Sequence, residues 1–199
     1  MEYHTTINEC NKENYPMHIY YIDYCKAFDL VEHWALERVL DRLNIEPMKN
    51  ILMTLIRNST TNLKVNNTIL NDTINIHKGT KQGDSISLLL FILFISPLLW
   101  KLEKNINGIN CNSLSIKTAA IMDDIVIATD NHVEMAYIIK TIKKFSKATG
   151  MQINPKKSAY AHKNNAHSSL PIIDGTPFSD LGADKSYRYL GVWINLNLN

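Results

Sequence analysis

The sequence has few of the residues that mark several classes of protein. It contains only 3 cysteines, 7 glycines and 6 prolines in 199 residues. Cys10, Cys25 and Cys111 are odd in number and far apart, which excludes a disulfide framework or a Cys-x-x-Cys metal site and indicates a reducing, intracellular environment. Because glycine and proline are scarce and 45% of the residues are hydrophobic, a collagen-like or disordered chain is excluded as well.

Long hydrophobic runs and a strong net charge are also lacking. The most apolar stretch, residues 86–100, is interrupted by Ser87, Ser96 and Pro97 and is shorter than the roughly 20 residues that span a bilayer. It therefore predicts a buried helix and no membrane partner. The N-terminus has no signal-peptide pattern. A formal net charge of +2 is well below that of a chain that binds nucleic acid by charge alone.

Lysines are unevenly distributed along the chain. Six of them crowd into one stretch of the C-terminal half, and on charge alone this stretch predicts a solvated helix face, with weak RNA binding as the alternative. They are Lys140, Lys143, Lys144, Lys147, Lys156 and Lys157.

Hydrophobic periodicity in the N-terminal half predicts one strand, two helices and a hairpin. Residues 18–23 form a β-branched and aromatic run that predicts a buried strand ending in Asp23. Two amphipathic helices follow, the second beginning at Pro47, and residues 62–78 predict two short strands around an Asn-Asn turn. The apolar stripes of the two helices are Leu36, Val39, Leu40 and Leu43, and Ile51, Leu52, Leu55 and Ile56.

The C-terminal half begins with two apolar strands, residues 119–122 and 125–128. The sequence predicts that Asp123 and Asp124 form the two-residue turn of a hairpin between them. Asn131 and Glu134 then predict a capping box.

The helix that follows this capping box is predicted to run to about Ala148, with Gly150 as its C-terminal cap. Residues 151–154 and 187–194 predict two further strands. Taken together, these elements predict a single α+β domain over residues 1–199, a mainly antiparallel sheet with helices packed on one face.

The predicted strands place three carboxylates where they could form a candidate site. Asp23 ends one apolar strand and Asp123 and Asp124 end another, and antiparallel strands can place such ends side by side. Three buried negative charges repel each other unless cations are present. Two magnesium ions held by carboxylates catalyse phosphoryl displacement, and this chemistry would suit the cluster. The alternative is an ordinary solvated Asp-Asp turn.

Five further segments stand in order along the chain: residues 21–29 (YIDYCKAFD), 81–85 (KQGDS), 122–124 (MDD), 150–158 (GMQINPKKS) and 189–191 (YLG). In this order they resemble the successive motifs of reverse transcriptases, most closely those of the non-LTR (LINE-type) retrotransposon branch. The resemblance covers residues 17–195 and implies a polymerase palm. The implied activity is that of an RNA-directed DNA polymerase, a nucleotidyltransferase that adds deoxynucleotides to a primer 3′-hydroxyl with two Mg²⁺ ions, for which Mn²⁺ can substitute.

The resemblance also implies roles for single residues. Asp23 and Asp123 would be the main metal ligands, Asp124 the third carboxylate and the carbonyl of Tyr24 a further ligand. The strand at residues 189–191 would help to grip the primer.

Other implied roles concern the nucleotide. Phe28 would lie under the incoming sugar and exclude a ribose 2′-hydroxyl, while Gln82 and Gly83 would border the nucleotide and the template. Lys157 would donate a proton to the leaving pyrophosphate, with Lys156 as a rival. Simpler alternatives are a core aromatic for Phe28 and surface lysines for the other two.

The sequence departs from the family pattern in two motifs. Ile121 and Met122 precede Asp123 where the family usually has an aromatic residue and a small one, and residues 84–88 lack the usual proline. Only about 22 residues precede Asp23, so we expect most of the fingers segment, the thumb and the endonuclease to be absent and the isolated chain to be incomplete.

The expected partners are an RNA template, a DNA primer and deoxynucleoside triphosphates, with missing parts lost or carried by another chain. The family implies an intracellular location, in the nucleus or the cytoplasm. One alternative function is an inactive retrotransposon remnant with weak RNA binding. A third is a nuclease or a nucleotide cyclase. The absence of a His or Glu beside the three aspartates disfavours the nuclease, and Phe28 and the Gln82-Gly83 loop, which match polymerases better, disfavour the cyclase.

Overall fold

The computed structural model describes residues 2–81, 85–164, 169–182, 185–189, 191–194 and 196. Its contacts divide the chain into two compact units, the first formed by Met1–Cys25 with Leu98–Asn199 and the second by Lys26–Pro97. The single domain expected over residues 1–199 stays a prediction.

The described residues form helices and mostly short strands, with the last strands following one another without a helix between them. The helices are α1 (Glu2–Lys12), α2 (His33–Leu43), α3 (Met48–Arg57), α4 (Ser85–Asn105) and α5 (His132–Thr149), with a 3-10 turn at Phe28–Leu30. The strands are β1 (Met17–Ile22), β2 (Thr60–Val65), β3 (Thr68–Asn75), β4 (Ile109–Cys111), β5 (Leu114–Ile116), β6 (Thr118–Ile121), β7 (Asp124–Thr129), β8 (Ala159–Lys163), β9 (Ile172–Ile173), β10 (Thr176–Pro177), β11 (Ser179–Gly182), β12 (Tyr187–Tyr189) and β13 (Val192–Ile194).

A five-stranded sheet in the order β11-β8-β1-β7-β6 organises the first unit. Only the β11–β8 pair in this sheet is parallel. All six residues of β1 are buried, because the strand has neighbours on both sides and layers on both faces. The strand that ends before Asp23 is thus confirmed, as are the α+β class and the mainly antiparallel sheet.

The two faces of this sheet carry different layers. On one face, here called the α1 face, Met17, Ile19 and Tyr21 share a buried cluster with Ile7 and Cys10 of α1. Because side chains alternate along a strand, the residues between them point to the other face.

The other face, here called the α5 face, includes Tyr20 and Tyr160, whose rings lie 5.3 Å apart. Helix α5 packs there, where the hydroxyl of Tyr160 lies 3.8 Å from the sulfur of Met135. Helices therefore cover both faces of the sheet, and the prediction that they pack on one face is corrected.

The predicted boundaries of α5 are confirmed to within a residue. The side chain of Asn131 accepts a hydrogen bond from the N–H of Val133 at 2.9 Å, and Gly150 ends the helix with a φ of 71°. The predicted capping box forms only in part, because Asn131 caps the helix but the carboxylate of Glu134 does not bond back to it. Glu134 accepts the N–H of Asn107 at 2.8 Å, so its carboxylate fixes the loop after α4 rather than the backbone of Asn131.

The hairpin of the three-carboxylate site is shifted by one residue from the prediction. Ile121 pairs with Asp124, so the connecting residues are Met122 and Asp123, and Asp124 is the first residue of β7. Met122 has a φ of 57°, a left-handed backbone conformation that is uncommon for residues other than glycine. The turn is two residues long as predicted, but strand pairing places it one residue earlier than the turn propensity of the two aspartates suggested.

Two other strand predictions are corrected. Residues 151–154 form a loop with a single bridge from Ile153 to Tyr24, and residues 187–194 form a hairpin of two strands, β12 and β13, rather than one strand. Gly191 turns this hairpin with a φ of 82°. The sequence patterns also missed α1, the β4–β5 hairpin and the strands β8 to β11.

In the second unit, α2 packs against α3, and β2 pairs with β3 as predicted. Asn66 and Asn67 form the turn between these strands with φ values of 46° and 65°. The predicted apolar stripe of α3 is partly wrong. Ile51 and Leu55 are exposed, whereas Leu52 is buried together with Met53 and Ile56.

Helix α4 is 21 residues long, which is longer than the predicted 86–100 segment. By length and composition alone, its residues Ile86–Asn105 could cross a membrane, a property that the core helices of many soluble proteins share. The expected burial is confirmed at several positions of the helix, which include Phe91, Phe94, Leu98 and Leu102.

The corrected burial of α3 gives a test of the fold. Leu52→Ala should lower the free energy of unfolding by about 2–4 kcal/mol, because Leu52 is only 5% exposed and its removal leaves a cavity. The matched variant Ile51→Ala should cost less than about 0.5 kcal/mol, because Ile51 is 56% exposed. Urea denaturation of both variants measures the difference, and equal losses would contradict the assigned face of α3.

Candidate active site

The structure places Asp23 and Asp124 across from each other on neighbouring strands. Strand β1 pairs with β7 up to Ile22 and Ile125, and continuing this register by one residue sets Asp23 opposite Asp124. Asp23 lies two residues beyond Tyr21, and Asp124 two residues before Val126, so both carboxylates belong to the α1 face. Asp123 lies beside them in the turn. The sequence prediction that these three aspartates meet is supported by this register.

The charges of the three carboxylates act on one another. Burial raises the pKa of Asp124 above its ordinary value, and the negative charges of Asp123 and Asp23 raise it further. Burial is also the main cause that raises the pKa of Asp23, to which the charge of Asp123 adds. The positive charge of Lys157 and a hydrogen bond from Asn154 act in the opposite direction on Asp23. The site is therefore short of positive charge.

The backbone of Asp23 is held by the loop between α5 and β8. Its carbonyl accepts the N–H of Asn154 at 2.8 Å, and its own N–H donates to the hydroxyl of Ser158 at 3.1 Å. The N–H of Cys25 donates to the carbonyl of Gln152 at 2.8 Å. Ser158 is fully buried, so this bond is shielded from water. The predicted strand at 151–154 is instead a clamp on the first aspartate.

The two candidate lysines of this loop differ in position. The side chain of Lys157 is close enough for its charge to lower the pKa of Asp23, and its carbonyl accepts the hydroxyl of Tyr187 at 3.2 Å. The carbonyl of Lys156 accepts the hydroxyl of Ser179 at 3.4 Å, in contact with β11. Both side chains are exposed. Of the two lysines, Lys157 is the one whose charge acts on Asp23, and its role in the site stays a prediction.

Tyr24 was expected to offer its carbonyl to a metal. Its ring is buried, and burial raises the pKa of its hydroxyl. The bridge to Ile153 uses the backbone groups of Asp23 and Cys25 on either side, so the carbonyl of Tyr24 is not one of the bonds of this bridge. Its role as a ligand stays a prediction.

The β12–β13 hairpin brings two tyrosines to the carboxylates. The ring of Tyr187 stacks on that of Tyr21 with centroids 4.2 Å apart. Burial and the negative charge of Asp124 raise the pKa of Tyr187 and of Tyr189 to about 12. The predicted grip segment at residues 189–191 thus lies near the aspartates, with Leu190 outside the described residues. Sequence analysis missed Tyr187, although two tyrosines spaced by two residues share one side of a strand.

Phe28 belongs to the second unit. Its ring is half-buried and lies 5.1 Å from the ring of Phe91, and its carbonyl accepts the N–H of Thr80 at 3.0 Å. Gly79, the residue before Thr80, has a φ of 87°. A Cβ at this position would lie 2.9 Å from the carbonyl oxygen of Asp29, so glycine is the residue that fits without moving the backbone.

The remaining residues implied at the nucleotide, Gln82 and Gly83, lie outside the described residues. Their roles, like the sugar contact of Phe28, stay predictions.

The donor chemistry of the aspartates suits a hard cation such as Mg²⁺, which prefers carboxylate oxygens. The raised pKa values of Asp23 and Asp124 mean that a cation would relieve repulsion at this site. Within the described residues, however, no three His, Cys, Asp or Glu side chains are already arranged as ligands of one ion. The aspartates fit a metal by charge and chemistry, and their side chains would have to converge on it.

Residues 2–194 match the family described as reverse transcriptase (RNA-dependent DNA polymerase). The chain belongs to this family. It is 29% identical over 180 residues to the Retrovirus-related Pol polyprotein from type-1 retrotransposable element R2 of Popillia japonica, a match that covers 86% of this chain and 30% of that protein. It is 28% identical over 199 residues to the R2 polyprotein of Nasonia vitripennis, covering 95% of this chain and 19% of that protein.

These relatives identify a reverse transcriptase domain of the non-LTR retrotransposon type. The chain spans less than a third of the length of either relative. Reverse transcriptases generally use divalent metal ions. The resemblance seen in the sequence motifs is therefore confirmed at the level of the family.

Solved telomerase structures share the fold. Apo telomerase from Candida tropicalis superposes with a TM-score of 0.67 at 15% identity, covering 98% of this chain and 34% of that one. Telomerase from Candida albicans in complex with the TWJ fragment of telomeric RNA gives a TM-score of 0.64 at 12% identity, covering 96% of this chain and 31% of that one. At such low identity these matches show the fold alone, and they agree with a polymerase palm.

The electrostatic strain of the site predicts a pH-dependent stability. The folded state raises the pKa of Asp124, so ionisation of this group destabilises the fold above its ordinary pKa, and the penalty disappears as the pH falls through the raised pKa. Asp124→Asn should therefore raise the melting temperature at pH 7 in metal-free buffer and raise it less at pH 4. Thermal denaturation at both pH values measures this, and a lower melting temperature at pH 7 would contradict it.

Proposed function

We propose that this reverse transcriptase domain is the palm of an RNA-directed DNA polymerase, which extends a DNA primer along an RNA template. The observation that carries the proposal is the register that sets Asp23 opposite Asp124, with Asp123 in the adjoining turn. Carboxylates that are placed together at strand ends, and that repel one another, are suited to holding cations during phosphoryl transfer. The family of the chain supports the same chemistry.

The residues that would hold the metal are Asp23, Asp123 and Asp124, and two Mg²⁺ ions, with Mn²⁺ as a substitute, are the proposed complement. Bound there, the ions would neutralise the charge that develops on the attacking and leaving oxygens. The loop that clamps the backbone of Asp23 keeps its carboxylate at the end of β1. This clamp is the contribution of the chain to positioning, on which such a reaction depends.

In the proposed reaction, the primer 3′-hydroxyl loses its proton to solvent and its oxygen forms a bond to the α-phosphorus of the nucleotide, while the bond from that phosphorus to the pyrophosphate breaks. Lys157 would donate a proton to the pyrophosphate oxygen that leaves. Two observations support this role: the side chain of Lys157 is exposed, and its charge lowers the pKa of Asp23. Tyr187 and Tyr189 would support the primer end from the β12–β13 hairpin.

The substrates proposed for the whole protein are an RNA template, a DNA primer and deoxynucleoside triphosphates. The curated relatives are more than three times the length of the segment they share with this chain. Full activity is therefore proposed for the longer protein, in which fingers, thumb and endonuclease segments would complete the palm.

Primer extension tests the proposed function. On a poly(rA)–oligo(dT) substrate with Mg²⁺, the wild type should incorporate deoxythymidine, and Asp123→Asn should lower the rate at least about 100-fold because a charge-stabilising group is lost. Asp72→Asn, an exposed carboxylate on β3, is the matched control and should keep the wild-type rate. The protein should be assayed within the longer polyprotein as well as alone. Equal rates for wild type and Asp123→Asn in the longer protein would refute the proposal.

A second experiment tests the proposed sugar contact of Phe28. In the longer protein, Phe28→Ala should raise the incorporation of ribonucleotides relative to deoxyribonucleotides by about 10-fold or more, because a bulky side chain would no longer exclude the 2′-hydroxyl. Phe28→Tyr keeps the bulk and should keep the discrimination. Unchanged discrimination in Phe28→Ala would show that the ring only packs against Phe91.

A further inference from the structure

Helix α5 carries a straight row of cations on its exposed side. Lys140, Lys143, Lys144 and Lys147 are spaced by three and four residues and are all exposed. The buried side of the helix is marked by Ile138 and Ile142. At 3.6 residues per turn, the centre of the lysine row lies roughly 170° around the helix from these isoleucines, and the row is about 10 Å long.

Neither an acidic residue of α5 beyond Glu134 nor an ion pair of the described residues compensates the charge of this lysine row. From Met135 to Thr149, α5 contains no Asp or Glu. The ion pairs formed within the described part of the chain use other cations, namely Lys12, Lys49, Arg57, Lys78 and His162. The positive charge of the row is therefore available to a partner.

The lysine row and the carboxylates lie on opposite sides of the central sheet. Helix α5 contacts the α5 face through Met135 and Tyr160. Asp23 and Asp124 belong to the α1 face, where the ring of Tyr187 stacks on that of Tyr21. Because the lysines point away from the sheet, they cannot reach a nucleotide at the carboxylates. Their partner must be bound elsewhere on the protein.

We propose that the lysine row of α5 is a second nucleic-acid contact, which binds the phosphate backbone of RNA that extends beyond the active site. This proposal rests on the proposed function, because copying an RNA template keeps a long RNA beside the domain. Lysines bind phosphates as point charges without reading bases, so the contact would be independent of sequence.

The composition of the same surface disfavours a membrane as the partner. A helix that binds an anionic membrane combines lysines with large apolar side chains that enter the bilayer. The exposed positions of α5 between Lys140 and Lys147 are all lysines, and the next one, Ala148, is small. Among the large apolar side chains of α5, Val133 in the first turn is the exposed one, at 66%. The lysine row itself offers charge without a large apolar side chain, which fits a polyanion in solution.

The test measures binding of the purified chain to a labelled 30-nucleotide single-stranded RNA by fluorescence anisotropy at several salt concentrations. Four fewer phosphate contacts should make the dependence of log K on log salt shallower by about 3 and weaken binding on the order of 30-fold or more at low salt. The variant is K140Q/K143Q/K144Q/K147Q, and K12Q/K64Q/K101Q/K104Q is the control with the same change in net charge. Circular dichroism and thermal denaturation establish that each variant is folded.

Loss of RNA binding in the α5 variant but not in the control supports the proposal. Equal losses in both variants would overturn it, because net charge alone would explain the binding. Two results would overturn the assigned partner. One is tighter binding to a 30-base-pair DNA duplex than to RNA. The other is binding of the protein to vesicles with 30% phosphatidylserine from which RNA does not displace it. Asp72→Asn, an exposed carboxylate outside the candidate active site, should bind RNA as the wild type does. Because binding is measured without Mg²⁺ and nucleotide, a failure of polymerisation remains distinguishable from a failure of this surface.

Discussion

The repulsion among three carboxylates is the constraint around which the first unit is built. Asp23 and Asp124 lie across from each other because β1 and β7 are neighbours in register, and both strands are fixed by burial on two faces. The unfavourable charge is tolerated because the surrounding sheet and the clamp from Ser158 hold the backbone in place. The raised pKa values of Asp23 and Asp124 show that their negative charges are unfavourable in the folded protein, and a cation bound there would relieve this repulsion.

Much of this arrangement could be predicted from the sequence. The β1 strand, the β2–β3 hairpin and the helix α5 have strong local signals, since an apolar run, an Asn-Asn turn, an Asn cap and a terminal glycine act over a few residues. The order of five short motifs identified the family, which the match over residues 2–194 shows. The meeting of Asp23 with the Asp123–Asp124 pair followed from antiparallel pairing of adjoining strands.

The errors have a common physical cause, because they occur where tertiary contacts override local preference. Asp124 joins β7 since Ile121 is there to pair with it, although aspartate favours turns. Residues 151–154 alternate like a strand but are used to clamp Asp23. Strand β8 has no alternating apolar pattern because consecutive residues, Ala159, Tyr160 and Ala161, are buried on both faces of the sheet. The stripe of α3 was assigned to the wrong side at Ile51 and Leu55.

The central claim is that the three aspartates share divalent cations. The most direct measurement is the melting temperature of the wild type and of Asp123→Asn during a Mg²⁺ titration at constant ionic strength, with Asp72→Asn as the control. The account predicts that Mg²⁺ raises the melting temperature of the wild type and of Asp72→Asn and raises that of Asp123→Asn much less. At a Mg²⁺ concentration 100 times the dissociation constant, the gain in the free energy of unfolding would be about 2.7 kcal/mol for one site. Equal increases in all three proteins would contradict it.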